Sequence, residues 1–130
     1  MCLSSVNSKK PAKTGIFYKA FRQDGGGGVF NPLFQRTALR FVLGKWYKDT
    51  SKGNIHVYWP KEISYPKGFH GYKNLKDAKI MHGCLYTIVK CQYQKAVVSG
   101  RQGCGSAIVA KEMKLLKVVR KCQNRFLEMK

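Results

Sequence analysis

The sequence predicts an α+β fold: a single small domain, mostly an antiparallel twisted sheet, with one short helix near 74–82. Three observations carry this prediction. Runs of β-branched and aromatic residues recur along the chain, separated by Gly, Pro, Asn and Asp, which is the signature of short strands and turns. One segment only, in the middle of the chain, has a capping residue before helical spacing and a glycine after it. The 130 residues are one domain's worth of chain, and 44% of them are hydrophobic, enough for a single core.

The first segment, 1–14, is polar, basic and Pro-containing, and is predicted to be an extended arm. From Gly15 the run GIFYKAFR reads as a strand, ended by QDGGGG, where four glycines in succession prevent regular structure. A phosphate-cradling loop would need Lys and Ser or Thr directly after the glycines, and Val29-Phe30-Asn31-Pro32 follows instead, so a hairpin loop is the better reading. Thr37 to Gly44, continued by Lys45-Trp46-Tyr47-Lys48, gives a second strand before the turn residues Asp49 to Gly53. Asn54 to Trp59 alternates and stops at Pro60, as a third strand near an edge would.

Gly68-Phe69-His70-Gly71-Tyr72 is expected to be a short buried strand or bend. Asn74 then caps a helix over Leu75 to His82 that Gly83 ends, with Leu75, Ala78 and Ile80 or His82 inward and Lys73, Lys76 and Lys79 in solvent. Strands follow at 85–93, 95–99 and 106–110, the last after a turn containing Gly100, Gly103 and Gly105. The end of the chain has two readings. As a C-terminal helix over 111–128, Leu115, Leu116, Val119, Cys122 and Phe126 form a stripe opposite Lys114, Lys117, Lys121 and Arg125. As a strand, Met113 to Val119 closes the sheet, which the β-branched Val118-Val119 favours. The chain is thus divided into a basic arm (1–14), an α+β domain (15–119) and a basic C-terminal extension (120–130).

Charge is the strongest compositional signal. Lys and Arg number 25 against 6 Asp and Glu, a net charge of +19. The excess is even: residues 1–50 hold 9 cations and 2 anions, 51–100 hold 8 and 2, and 101–130 hold 8 and 2. A domain so basic throughout repels itself, so its charge points to an acidic partner. Only 6 of the cations are Arg, which favours diffuse electrostatic contact over bidentate reading of bases.

Chemistry that needs a set of special side chains is poorly supplied. Cys2, Cys84, Cys91, Cys104 and Cys122 contain no C-x-x-C pair and fit no standard zinc spacing, so no metal site is expected and the thiols are read as reduced. His56, His70 and His82 form no H-E-x-x-H, and no serine sits in a G-x-S-x-G elbow. Six scattered carboxylates do not favour a glycosidase pair or a multi-magnesium nuclease. Met1 to Ser8 is too short and polar for a signal peptide, and no apolar run reaches the roughly 20 residues of a membrane helix.

The segments Ile16-Phe-Tyr-Lys-Ala, Phe41-Val-Leu-Gly-Lys-Trp-Tyr, Gly68-Phe-His-Gly-Tyr with Leu75-Lys-Asp-Ala, Ile88-Val-Lys-Cys, Val98-Ser-Gly and Met113-Lys-Leu-Leu resemble the small Met-Cys-Leu-opening proteins of phages and large DNA viruses. The resemblance covers residues 14–119, and G-F-H-x-[Tyr/Phe] followed by Asp-Ala is its most specific part. It implies a compact α+β domain and brings no activity with it. The QDGGGG segment and the basic C-terminal extension depart from the pattern. A fainter similarity runs to the ADP-ribosyltransferase fold, through Lys19 or Arg22, Gly68-Phe69-His70 and Glu112. That fold implies NAD binding, but a Ser-Thr-Ser type motif is absent and Glu112 has no acidic companion.

Together these readings predict a non-enzymatic, strongly basic structural or interaction protein, a minor capsid or virion component of a large DNA virus that cements acidic neighbours. Its partner would be a larger acidic protein or viral assembly, in the virion or host cytoplasm, and no cofactor is expected. The alternative is a sequence-independent nucleic-acid-binding protein, using aromatic residues among cations (Phe17, Tyr18, Phe21, Trp46, Tyr47, Tyr58, Trp59) for stacking. The third reading is an ADP-ribosyltransferase-like enzyme. The partner surface is expected to include Lys9, Lys10, Lys13, Trp46, Lys114, Lys117, Lys121 and Arg125.

Overall fold

The computed structural model describes residues 3–7, 9–22, 29–32, 40–58, 61–82 and 86–120. Along the chain these form β1 (Ser5–Val6), β2 (Gly15–Arg22), β3 (Val29–Pro32), β4 (Phe41–Val42), β5 (Trp46–Lys48), β6 (Asn54–Val57), β7 (Ile63–Pro66), β8 (Phe69–Tyr72), α1 (Leu75–His82), β9 (Thr87–Gln102) and β10 (Gly105–Arg120). The fold is the α+β class that the sequence predicts, with every strand ladder antiparallel and α1 on the residues that follow the Asn74 cap.

β9 and β10 are each 16 residues long and pair along their whole length. Gln102 opposite Gly105 leaves a two-residue turn, Gly103-Cys104, and Gly103 has φ +63°. A glycine in the left-handed region at the first loop position is what a tight type II′ hairpin turn requires. The sequence divides this region into separate strands at 85–93 and 95–99, and at 106–110 and 113–119. The structure joins them, because irregularities in the ladder absorb the breaks in alternation. Lys95 has φ +55°, and the register shifts between Val109 and Ala110, between Leu115 and Lys117, and between Val118 and Arg120. Each shift bends the hairpin without ending it.

The bent hairpin closes a ring. β8 pairs with the first part of β10, from Ala107 opposite Tyr72 to Ala110 opposite Phe69. β2 pairs with the first part of β9, from Gly15 opposite Tyr93 to Phe21 opposite Thr87, and meets β8 through Tyr18 opposite Tyr72. Thus β9, β10, β8 and β2 form a closed circuit. β5 extends the sheet beside the second part of β10, β3 and β4 continue from β2, and β6 and β7 form a separate hairpin.

Closure gives the strands an inside and an outside. Inside lie Phe17, Phe21, Phe41, Phe69, Val89, Cys91, Tyr93, Ile108, Ala110, Met113 and Leu115. Phe17 stacks on Tyr93 at 5.4 Å, and Phe41 meets Phe21 and Phe69 edge-on at 5.7 and 6.0 Å. Each such ring contributes roughly 1.5–3 kcal/mol by burial alone, so the filled interior is the main source of stability. Outside, a second cluster lies beneath α1, the β6–β7 hairpin and the start of the chain: Leu3, Tyr65, Tyr72, Ala78, Ile88, Val98, Ala107 and Val109. Leu75 and Met81 pack on it from α1, whereas Ile80, a candidate for the inward face, is 61% exposed. Met81 is one residue further round the helix and takes that place. Lys73, Lys76 and Lys79 are exposed as predicted.

The two ends of the chain refine the sequence reading. Leu3 is fully buried, and Ser5 and Val6 pair with Arg101 and Gly100, so the start of the extended arm is docked on β9. Lys9, Lys10 and Lys13 lie beyond this anchor and are exposed. At the other end, residues 111–120 are strand, which excludes the helix alternative there. Lys121 and Arg125 lie outside the described residues, as do Trp59, Cys2, Cys84, Cys122 and the QDGGGG loop. No helix among the described residues is long and apolar enough to cross a membrane.

A candidate basic face and a buried polar seam

Helix α1 and the β6–β7 hairpin cover only part of the outside of the ring. Directly paired residues of an antiparallel ladder lie on the same face, so the register gives the content of the uncovered part. One row across the sheet is Trp46 of β5, Lys114 of β10, Gln92 of β9 and Ile16 of β2. The neighbouring row is Lys117, Lys90 and Tyr18, beyond which Tyr72 is buried. On the other side stand Lys48, Glu112 and Gln94. Lys48, Lys117 and Ile16 are exposed, and Trp46, Lys114, Lys90, Gln92 and Tyr18 are half-buried.

A bulge creates this arrangement. Leu115 pairs with Cys91 on the inside, and in regular alternation Leu116 would oppose Lys90 on the outside and Lys117 would turn inward. The register shift between Leu115 and Lys117 sets Lys117 opposite Lys90 instead. Two ammonium groups therefore occupy a position that cross-strand pairing normally gives to opposite charges. Neither is among the ion pairs of the described residues, where Lys95 with Glu112 at 2.7 Å is the one salt bridge. Lys114 places its ammonium 5.8 Å from the centre of the Trp46 ring, and Lys45 lies 5.6 Å from that of Tyr47. The two cation–π contacts stabilise the half-buried Lys114 and the exposed Lys45 without neutralising them.

The structure thus brings together three of the expected surface residues, Trp46, Lys114 and Lys117, and adds Lys48, Lys90, Gln92, Ile16 and Tyr18 to them. Lys13 enters through its backbone, whose carbonyl accepts from the Ala96 N–H at 3.1 Å beside the end of the same sheet. Nothing described brings Lys9 or Lys10 onto these rows. Of the aromatic residues proposed for stacking, Phe17 and Phe21 are fully buried and belong to the interior. Tyr58 is 75% exposed but lies beyond β6, away from these rows.

A second polar group lies within the protein. Lys19 alternates with Phe17 and Phe21 on the inner side of β2, and its Nζ donates to the His70 carbonyl at 2.9 Å. That bond bridges β2 and β8 beside their single backbone pairing. Burial pushes the Lys19 ammonium down to about 8. Nearby Cys91 is fully buried, and burial pushes its thiol up to about 12, so it stays protonated and unreactive at neutral pH. His70 donates Nδ1–H to the Gly68 carbonyl at 3.2 Å, which leaves Nε2 to accept from the Tyr65 hydroxyl at 3.0 Å. The Tyr65 oxygen in turn accepts from the Leu3 N–H at 2.9 Å. Burial, followed by the Lys19 charge, lowers the His70 pKa to about 4. This chain of bonds fastens the start of the protein to β7 and β8.

The residues matched to an ADP-ribosyltransferase occupy separate surroundings. Glu112 is tied to Lys95, His70 to Tyr65 and Gly68, and Lys19 to the His70 carbonyl, while Arg22 is exposed at the end of β2. The hydrogen bonds and ion pairs of His70 and Glu112 do not join them. Cys91 and Cys104 are free thiols, and no group of three His, Cys, Asp or Glu that could hold a metal occurs among the described residues. No protein-family model matches the chain, and no curated protein or solved structure matches it.

Proposed function

We propose that this is a non-enzymatic binding protein that holds an acidic macromolecule against the outer face of β2, β9, β10 and β5. The observation that supports this most directly is Lys90 opposite Lys117 on that face, with neither engaged in an ion pair among the described residues. Like charges so placed destabilise a sheet by roughly 0.2–1 kcal/mol, a cost that an arriving anion converts into attraction. Trp46, Lys114 and Lys48 extend the same surface, and the chain's +19 charge supplies long-range steering towards it. The half-buried Lys19 and His70 have structural work instead: they hold strands together. An acidic neighbour in a viral assembly and a nucleic acid are both occupants of this class.

Retention on a sulfated polysaccharide matrix tests the face. A Lys48→Gln, Lys90→Gln, Lys114→Gln, Lys117→Gln variant is expected to elute at clearly lower salt than a control with Lys52, Lys73, Lys76 and Lys79 changed to Gln. Both lose the same charge, so equal elution would assign retention to net charge alone and remove the face from the proposal.

A further inference from the structure

We infer that the occupant of this face is a single-stranded nucleic acid, with a backbone phosphate seated between Lys90 and Lys117 and a base stacked at Trp46. The inference rests on the proposed binding face and names the class of partner it takes.

Spacing is the first argument. Lys90 and Lys117 are direct partners on neighbouring strands, so their Cβ atoms stand about 5 Å apart, close enough for one phosphate group to meet both ammonium groups. An acidic polypeptide would supply separate carboxylates on flexible side chains, which do not need a coincident pair of cations. Trp46 lies one row away along β10, opposite Lys114 rather than Lys117. One row is two residues or about 6.6 Å along the strands, and Trp46 stands one strand spacing from β10 and two from β9, so its backbone and the lysine pair are roughly 10 Å apart, within reach of a base and its backbone phosphate. A base can therefore lie at the ring while its phosphate reaches the lysines.

The composition of the face points to the same class of partner. Its rows carry lysines, Gln92, Gln94 and the lysine-paired Glu112, and the neighbouring arginine, Arg120 opposite Ile88, donates to the Tyr86 carbonyl at 3.3 Å, which suits phosphate contact through lysine over bidentate reading of base edges. An aromatic ring on a sheet gains from a partner whose bases are unstacked, and a duplex keeps its bases stacked inside. Tyr18, across three strand spacings or about 14 Å, is half-buried and packs on the cluster beneath α1, so Trp46 is the stacking ring of this face. Lysines and an aromatic ring on the outer face of the sheet thus select for single strands through stacking, and for no particular sequence.

The test uses the full-length chain with Trp59→Phe, so that fluorescence reports Trp46 alone, and three probes at low salt: a 15-nucleotide oligothymidylate, a blunt DNA duplex of equal phosphate number, and polyglutamate. Labelled-probe anisotropy gives the affinities, and thermal denaturation confirms that each variant is folded. Oligothymidylate is expected to bind most tightly and to quench Trp46. Lys90→Gln with Lys117→Gln should reduce the slope of log K against log salt by about 1.4, the value for two lost contacts to a single strand. Trp46→Ala should weaken binding roughly ten-fold while leaving that slope unchanged. Duplex bound as tightly as oligothymidylate, without quenching, would overturn the inference, as would oligothymidylate binding indifferent to all three substitutions. Polyglutamate bound in preference to DNA would leave the binding face standing and assign it to an acidic protein. If none of the probes binds, the face and its occupant are both rejected.

Discussion

At Lys19 a single side chain sets two opposing contributions to stability. Its hydrogen bond to the His70 carbonyl closes the seam between β2 and β8, and the same burial disfavours its charge, lowering its pKa from 10.5 to about 8. Below about 8 the amine is protonated in both folded and unfolded chains, and the full penalty is present. Between about 8 and 10.5 the unfolded chain binds the extra proton, so stability rises with pH by on the order of 3 kcal/mol. His70 acts in the same direction at acid pH: between 6.5 and about 4 the unfolded chain takes up the proton first, so stability is lost as pH falls. Cys91 opposes Lys19 above about 9, because its thiol stays protonated only in the folded protein. Urea unfolding midpoints across pH 4–10.5 check these signs. The difference between the native chain and Lys19→Met isolates the lysine, and it is expected to shift in favour of the native chain as pH rises from 8 to 10.5.

The strand β1 is held by two short contacts with β9, and a Cβ at Gly100 would collide with the Ser5 carbonyl. Gly100→Ala is therefore expected to lift the first residues off the sheet, freeing Leu3 from its buried site and breaking the Leu3 to Tyr65 hydrogen bond. Loss of the Leu3 side chain from the core costs about 2 kcal/mol or more. Limited proteolysis should cut within the first 13 residues of the variant much faster than in the native chain, and an unchanged rate would show that the docking is incidental. Such contacts explain what the sequence could and could not convey. Asn74, the spacing of Leu75 and Ala78, and the alternation of 87–93 follow local rules, so helix and strands were legible. The docking of Ser5 beside Arg101 depends on residues nearly a hundred positions apart and leaves no local mark. On the candidate face, Trp46 and the lysines of β10 were legible as charge and aromatic content, but Lys90 was not, because its role arises from the extra residue Leu116. The sequence Lys114-Leu115-Leu116-Lys117 did hold a clue: two lysines three apart can share a face of a strand only if it bulges between them.

The whole molecule bears a charge of +19 with one salt bridge among its described residues, so self-repulsion is a general term in its stability. Raising ionic strength from 0.01 to 0.15 M shortens the screening length from about 30 to 8 Å. The thermal midpoint is expected to rise by several degrees over that range, measured at fixed pH, and a fall would mean that attractive pairs outweigh the repulsion. The closed ring has a further consequence, in the order of events during synthesis. Gly15 of β2 lies opposite Tyr93 of β9, and Tyr18 opposite Tyr72, so the first long strand has no sheet to join until more than half of the chain exists. The β9–β10 hairpin, by contrast, can form from its own two-residue turn. Phe17, Phe21 and Phe41 must wait for it on the growing polypeptide, exposed to water and to other chains. The strands made last are the ones around which the earlier ones fold, and the newly made protein depends on its cationic charge to keep copies apart until they do.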